Sequence, residues 1–158
     1  MWVGNPGSAH HGVNKGFHNI VKPVLNEFVE MGISLVTATP ENPVPREQMG
    51  DFYRNHHVLL CASLHEGGPM PILEALACGR PVITTEVGIV PEVVENGKNG
   101  LIFERTQSQL RSMIKKIDQN RGLIQKMAEY TTHSVSERTA MHMAESYDKM
   151  FEYVFNNS

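Results

Sequence analysis

"HVLLCASLHEGGPMPILEALACGRPVITT", residues 57–85, decides the fold. Residues 57–63 form a run that is apolar with almost no alternation, which predicts a strand covered on both faces of a parallel sheet. "PVITT" at the far end reads the same way. Between them lies a loop, His65 to Met70, and then a helix predicted to start near Pro71, a residue suited to the first helical turn. The helix ends at Cys78 with Gly79 as its cap. A strand, a helix and a second strand of this kind make one parallel crossover unit.

Working outward, the pattern repeats. "MWVG" reads as a short strand that begins abruptly at the first residue, as though the preceding part of a larger protein were missing. Phe17, Ile20, Val21, Val24, Leu25, Phe28 and Val29 recur at helical spacing and predict one buried stripe. Pro23 falls inside that helix and predicts a kink or a later start. Gly32 stops it, and "ISLVTAT" predicts a buried strand. A short helix follows over Arg46 to Arg54. Beyond the quoted stretch come a helical turn at "VPEVV", a turn at "ENGKNG" and a strand at "LIF". Leu110, Met113, Ile114 and Ile117 predict a helix opened by a capping box of Thr106 and Gln109. After a break near Gly122, Ser134 and Glu137 predict a second box, and Ala140, Ala144, Tyr147, Phe151 and Val154 share one face of a last helix, with C-terminal helices over about 134–156. The fold class is therefore α/β, a doubly wound, Rossmann-like parallel sheet in a single domain over residues 1–158.

Composition sets the limits. The 158 residues contain 41% hydrophobic and 20% charged side chains, as in ordinary globular proteins. A formal net charge of -3 argues against a nucleic-acid surface, which calls for an excess of Lys and Arg. The two cysteines, Cys61 and Cys78, lie in apolar surroundings without metal-ligand spacing and read as buried thiols of a reducing compartment. No apolar run reaches the roughly 20 residues that span a bilayer, and no basic segment followed by an apolar stretch opens the chain. A cytoplasmic protein is expected.

The loop after residues 57–63 is where chemistry is expected, because open parallel sheets bind ligands beyond the carboxyl ends of their strands. Gly67 and Gly68 leave the backbone bare, and the start of the next helix adds free N–H groups and the positive end of a dipole, a combination that favours a diphosphate. Glu74, one turn in, would face the mouth, where a carboxylate accepts from two vicinal hydroxyls. Glu66 would meet a second hydroxylated group beyond the phosphates. Taken singly, each feature has a plainer reading: a glutamate stabilised by the dipole, glycines that make a turn.

Together they resemble a known pattern. "EGGPMPILEALACGRPVITTEVGIVPEVVENGKNGLIF", with Glu66 and Glu74 eight positions apart, resembles the donor-binding domain of retaining glycosyltransferases of GT-B architecture, group 1 (family 4). "VG" at Val3 and Gly4, "KG" at Lys15 and Gly16, and "FYRNHHVLLCASLHEG" extend the resemblance over nearly the whole chain. It implies one half of a GT-B enzyme, its C-terminal domain, which takes a sugar from a nucleoside-diphosphate sugar with retention, in polysaccharide or glycoconjugate biosynthesis. By the same resemblance Lys15 would hold the diphosphate, Glu66 would contact the transferred sugar and Glu74 the ribose. Gly67, Gly68, Pro69, Met70, Pro71 and Ile72 would lie along the phosphates and sugar, with Gly88 and Ile89 near the nucleotide. The nucleotide sugar is a substrate, and neither a cofactor nor a metal is implied.

The departures are specific. Asn5 stands where the family usually carries an arginine, with His10, His11 and Arg80 as candidate replacements for that charge. The resemblance implies an acceptor-binding N-terminal domain that is expected to be missing from this stretch, so the isolated chain is expected to be weak or inactive. That missing domain, or a partner chain in its place, is the expected partner beside the nucleotide sugar, and peripheral contact with a membrane is expected only through the missing domain. Two further readings stand beside this one: a non-catalytic nucleotide-sugar-binding subunit, and a fragment of another two-domain enzyme such as a nucleotide-sugar epimerase.

Overall fold

In the computed structural model, which describes residues 1–7 and 13–157, the quoted stretch forms the centre of a parallel sheet. Strand β3 (Leu59–Cys61) pairs in parallel with β4 (Val82–Thr84), and β4 with β5 (Gly100–Ile102). Strand β1 (Trp2–Val3) pairs in parallel with β2 (Thr37–Ala38). Met1 joins the two groups. Its amine donates to the Val58 carbonyl at 2.8 Å, and its own carbonyl accepts from the Leu60 amide at 2.9 Å. That alternation is a parallel ladder, so the strands run in the order β2-β1-β3-β4-β5.

Both faces are covered, as continuous apolar strands require. Successive residues point to opposite sides. Leu60, Ile83 and Leu101 meet α1 (Lys22–Asn26) and α5 (Gln107–Gln119) in a core that includes Val24, Leu25, Leu110 and Ile114. Leu59 and Val82 face the other way, onto Tyr53 of α2 (Met49–Arg54), Ile72 and Leu76 of α3 (Met70–Ala77) and Val90 of α4 (Val90–Val93). The doubly wound parallel architecture predicted from the sequence is the one observed. After α5 the chain continues through α6 (Gly122–Thr131) and ends in α7 (Ala140–Asn156).

The later start expected at Pro23 is observed: the α-helix proper begins only at Lys22, with Pro23 in its first turn where its missing N–H costs nothing, and a wide π-type turn over Phe17–Val21 carries the first residues of the stripe. Several local expectations are corrected. Val29 is exposed, because the helix has already tightened into the 3₁₀ turn Val29–Met31 that Gly32 closes in the left-handed region. Of residues 33–39 only Thr37–Ala38 form a strand, and the stretch is half-buried for most of its length, since β2 lies at the edge with a neighbour on one side only. Thr139 caps the last helix, accepting from the His142 amide at 3.2 Å, whereas Ser134 sits in a 3₁₀ turn and donates to the Thr131 carbonyl. The two thiols are half-buried rather than fully buried. Among the described residues, no helix is long and apolar enough to cross a membrane.

Candidate functional site

The loop from β3 into α3 lies at the carboxyl end of the sheet, and the backbone holds it there from two sides. Gly88 adopts φ 52°, and a Cβ on it would stand 2.0 Å from the Gly67 carbonyl oxygen, so only glycine lets the segment after β4 come this close. The Ile89 amide then donates to that same carbonyl at 3.0 Å. Gly88 and Ile89 thus brace the loop. Gly67 and Gly68 face open space.

The amides of Gly67, Gly68 and Met70 have no backbone partner among the described residues. Pro69 and Pro71 have no N–H to offer, and the Ile72 amide is turned inward onto the Pro69 carbonyl at 2.9 Å. Three backbone donors at the start of an eight-residue helix are therefore available to an anion.

Lys15 and Glu66, 51 positions apart, are brought together as a partly buried ion pair. The Ser63 hydroxyl donates to the same carboxylate oxygen of Glu66 at 2.7 Å, which fixes the carboxylate beside the loop. Three contacts bring the Lys15 segment there. The Leu64 amide donates to the Asn14 carbonyl at 2.8 Å, while the Asn14 side chain both accepts from the His65 amide and donates to the His65 carbonyl at 3.0 Å. Gly16, at φ 70°, passes so near β3 that a Cβ would lie 2.4 Å from the Ala62 carbonyl oxygen.

Arg105, just past β5, ties the arrangement together. Its guanidinium donates to the Ala62 carbonyl at 2.7 Å, to the Asn14 carbonyl at 3.3 Å and to the Val13 carbonyl. Burial lowers its pKa below the usual arginine value. Asn14 and Arg105 are the positioning residues that the sequence reading missed. The only signals were an asparagine directly before Lys15 and a lone arginine after "LIF".

Glu74 lies further along α3, exposed, with one oxygen already engaged. The hydroxyl of buried Tyr53 donates to Glu74 Oε2 at 2.6 Å, and burial followed by this bond raises the tyrosine pKa. Arg80 follows the carboxyl end of α3, donating to the Arg54 carbonyl, and so lies at the opposite end of the sheet from the loop. It is not placed to replace the charge that Asn5 lacks. His10 and His11 lie outside the described residues. Asn5 itself accepts from the Gly7 amide at 2.9 Å. Among the described residues, no three His, Cys, Asp or Glu side chains cluster closely enough to hold a metal ion.

A doubly wound parallel sheet with bare amides, a lysine and two carboxylates at its carboxyl end defines an α/β domain with a mouth of the kind that takes phosphorylated ligands. Residues 41–134 match the family described as "Glycosyl transferases group 1", and the chain belongs to that family. The chain is 30% identical over 111 residues to the D-inositol 3-phosphate glycosyltransferase of Corynebacterium jeikeium, a match that covers 70% of this chain and 26% of that protein. The C-terminal domain of a group 1 glycosyl transferase from Francisella tularensis superposes with a TM-score of 0.56 at 24% identity, over 73% of this chain and 60% of that one. Anabaena Alr3699/HepE, solved in complex with UDP, gives 0.65 at 14% identity over 96% and 48%. Both likenesses establish the GT-B type of fold.

Proposed function

We propose that the chain is the donor-binding half of a retaining glycosyltransferase, the C-terminal domain of a GT-B enzyme that moves a sugar from a nucleoside-diphosphate sugar to an acceptor. The observation that carries this reading is the Lys15–Glu66 pair set beside the free amides of Gly67, Gly68 and Met70. A diphosphate seated on those amides exchanges Lys15 away from Glu66 and leaves Glu66, still held by Ser63, to accept from a hydroxyl of the transferred sugar. Lys15, the amides and the helix dipole then ease departure of the nucleoside diphosphate. Glu74, with Oε2 held by Tyr53, presents its other oxygen to the ribose. The UDP held by the Anabaena neighbour and the domain position of the Francisella one support the reading.

Transfer requires donor and acceptor together in a closed, water-poor cleft, and a second domain or partner chain is proposed to supply the acceptor wall. The chain alone is expected to bind donor and to turn over slowly. Its mouth faces solvent, with Gly67, Gly68 and Met70 exposed, which also suits a non-catalytic nucleotide-sugar-binding subunit that acts only with a companion.

Calorimetric titration with UDP, GDP, ADP and their sugar conjugates tests the site. One base is expected to bind, and Glu74→Ala to weaken it at least about fivefold, equivalent to about 1 kcal/mol for a lost hydrogen bond to a charged group. A folded chain that binds no nucleotide overturns the proposal.

A further inference from the structure

Four arginines of this chain stand against a carboxylate: Arg54 on Asp51, Arg111 on Glu27, Arg121 on Asp118 and Arg138 on Glu92. Arg105 is half-buried and, among the described residues, forms no ion pair. Its partners, the carbonyls of Ala62, Val13 and Asn14, are neutral. They satisfy its N–H groups without cancelling its charge, and a charge withdrawn from water is costly unless an opposite one lies close. Its pKa is accordingly moved by desolvation alone, downward, with no carboxylate to raise it. Arg46 is exposed, so water serves it, and Arg80 lies at the opposite end of the sheet. The uncompensated charge at the mouth is that of Arg105.

The geometry leaves a place for its counter-ion. A guanidinium carries five N–H groups. Nε and Nη2 are engaged by the carbonyls, while Nη1 donates to nothing among the described residues and, not being a buried unpaired atom, reaches solvent. Lys15 follows Asn14 in the chain, and Ser63, which holds Glu66, follows Ala62. The guanidinium therefore lies against both segments that carry the Lys15–Glu66 pair. β5, which Arg105 follows, ends on the same side of the sheet as the loop with the free amides.

We propose that the missing counter-ion of Arg105 is the diphosphate of the bound ligand, so that Arg105 is a second phosphate-binding cation beside Lys15, entering from the end of β5. It would also supply the charge whose place Asn5 takes. That the anion belongs to a nucleotide sugar rests on the reading above; that an anion is missing rests on the unpaired charge alone.

The probe is inorganic pyrophosphate, titrated calorimetrically into the chain and into two variants. Arg105→Gln keeps an N–H for the carbonyls and removes the charge. It is expected to weaken pyrophosphate at least about tenfold and to flatten the dependence of affinity on salt. Arg105→Lys keeps the charge and is expected to stay within about threefold of the unsubstituted chain. A residue that only clips the two segments together would make the variants equal. Equal losses, no loss in Arg105→Gln, or no pyrophosphate binding at all overturns the proposal. Phenylglyoxal labelling read by mass spectrometry puts the question to the chain without substitution. Pyrophosphate is expected to shield Arg105 and to leave exposed Arg46 as reactive as before, and undiminished labelling of Arg105 overturns the proposal. Nucleoside diphosphates titrated alongside separate the two readings. A chain that binds pyrophosphate through Arg105 but takes no nucleotide keeps this site and overturns the donor reading. Nucleotide affinity indifferent to Arg105→Gln keeps the donor reading and overturns this one.

Discussion

Helices α5 and α7 carry the same pattern and meet different fates. Each opens on a threonine whose hydroxyl accepts from the amide three residues on, Thr106 from Gln109 and Thr139 from His142. Each bears apolar residues at i, i+4 and i+7. In α5 these are Leu110, Ile114 and Ile117, all buried, with Leu110 at 0% exposure. In α7 they are Tyr147, Phe151 and Val154, with Phe151 at 52%, and no residue of α7 is buried. Periodicity and caps specify a helix and the direction of its apolar stripe. They do not specify what the stripe lies against, which only the tertiary arrangement decides.

The largest effect expected from that difference comes from truncating the two stripes. Leu110→Ala removes a fully enclosed side chain and is expected to cost about 3 to 4 kcal/mol in urea unfolding. Phe151→Ala is expected to change the stability of the chain by less than about 0.5 kcal/mol. Comparable losses at the two positions would show that α7 packs on the body after all.

The loop at the mouth belongs with α5 on the packed side of the comparison. Gly88→Ala is expected to cost about 2 kcal/mol, because the added methyl meets the Gly67 and Glu66 carbonyls and the residue stays at positive φ. The same substitution is expected to weaken nucleotide binding by displacing the loop. A change in affinity without a change in the denaturation midpoint would mean that the loop is less tightly coupled to the fold than Gly88 implies.

Titration sharpens the contrast from the body's side. Burial lowers the pKa of the Met1 amine from 8.0 to about 6, so between those values the unfolded chain binds more protons than the folded one. Stability is therefore complete above about pH 8 and falls as the pH drops toward 6, by roughly 2 kcal/mol. The single tryptophan, Trp2, is the neighbouring residue, and its fluorescence in denaturant series from pH 5.5 to 8.5 reads the effect. A flat profile would show that the amine is hydrated.

The same distinction separates what was legible in the sequence from what was not. Residues 57–85 could be read because each step is local: continuous apolar strands, two bare glycines, a proline in the first turn and Gly79 in a left-handed cap. Lys15, Glu66 and Glu74 could be named as candidates, but not their contacts. Tyr53 reaches Glu74 across 21 positions, Arg105 reaches Ala62 across 43, and Asn14 reaches His65 across 51. No periodicity encodes such pairs. "ISLVTAT" failed for a related reason, since its composition predicts a strand without saying that one side of it lacks a neighbour.

The smallest expected effect is the most diagnostic, because it makes an identical chemical change in both helices. Thr106→Ala and Thr139→Ala each remove one hydroxyl that satisfies a first-turn amide, a loss of about 1 kcal/mol. In α5 that loss is shared with a buried stripe, so it is expected to lower the unfolding midpoint of the whole chain. In α7 the last helix is expected to open locally, so that amide exchange over residues 140–156 speeds up while the unfolding midpoint of the body stays where it was. If Thr139→Ala moved the global midpoint as far as Thr106→Ala does, the two helices would be energetically equivalent, and exposure of the Tyr147 and Phe151 stripe would not mean independence from the core.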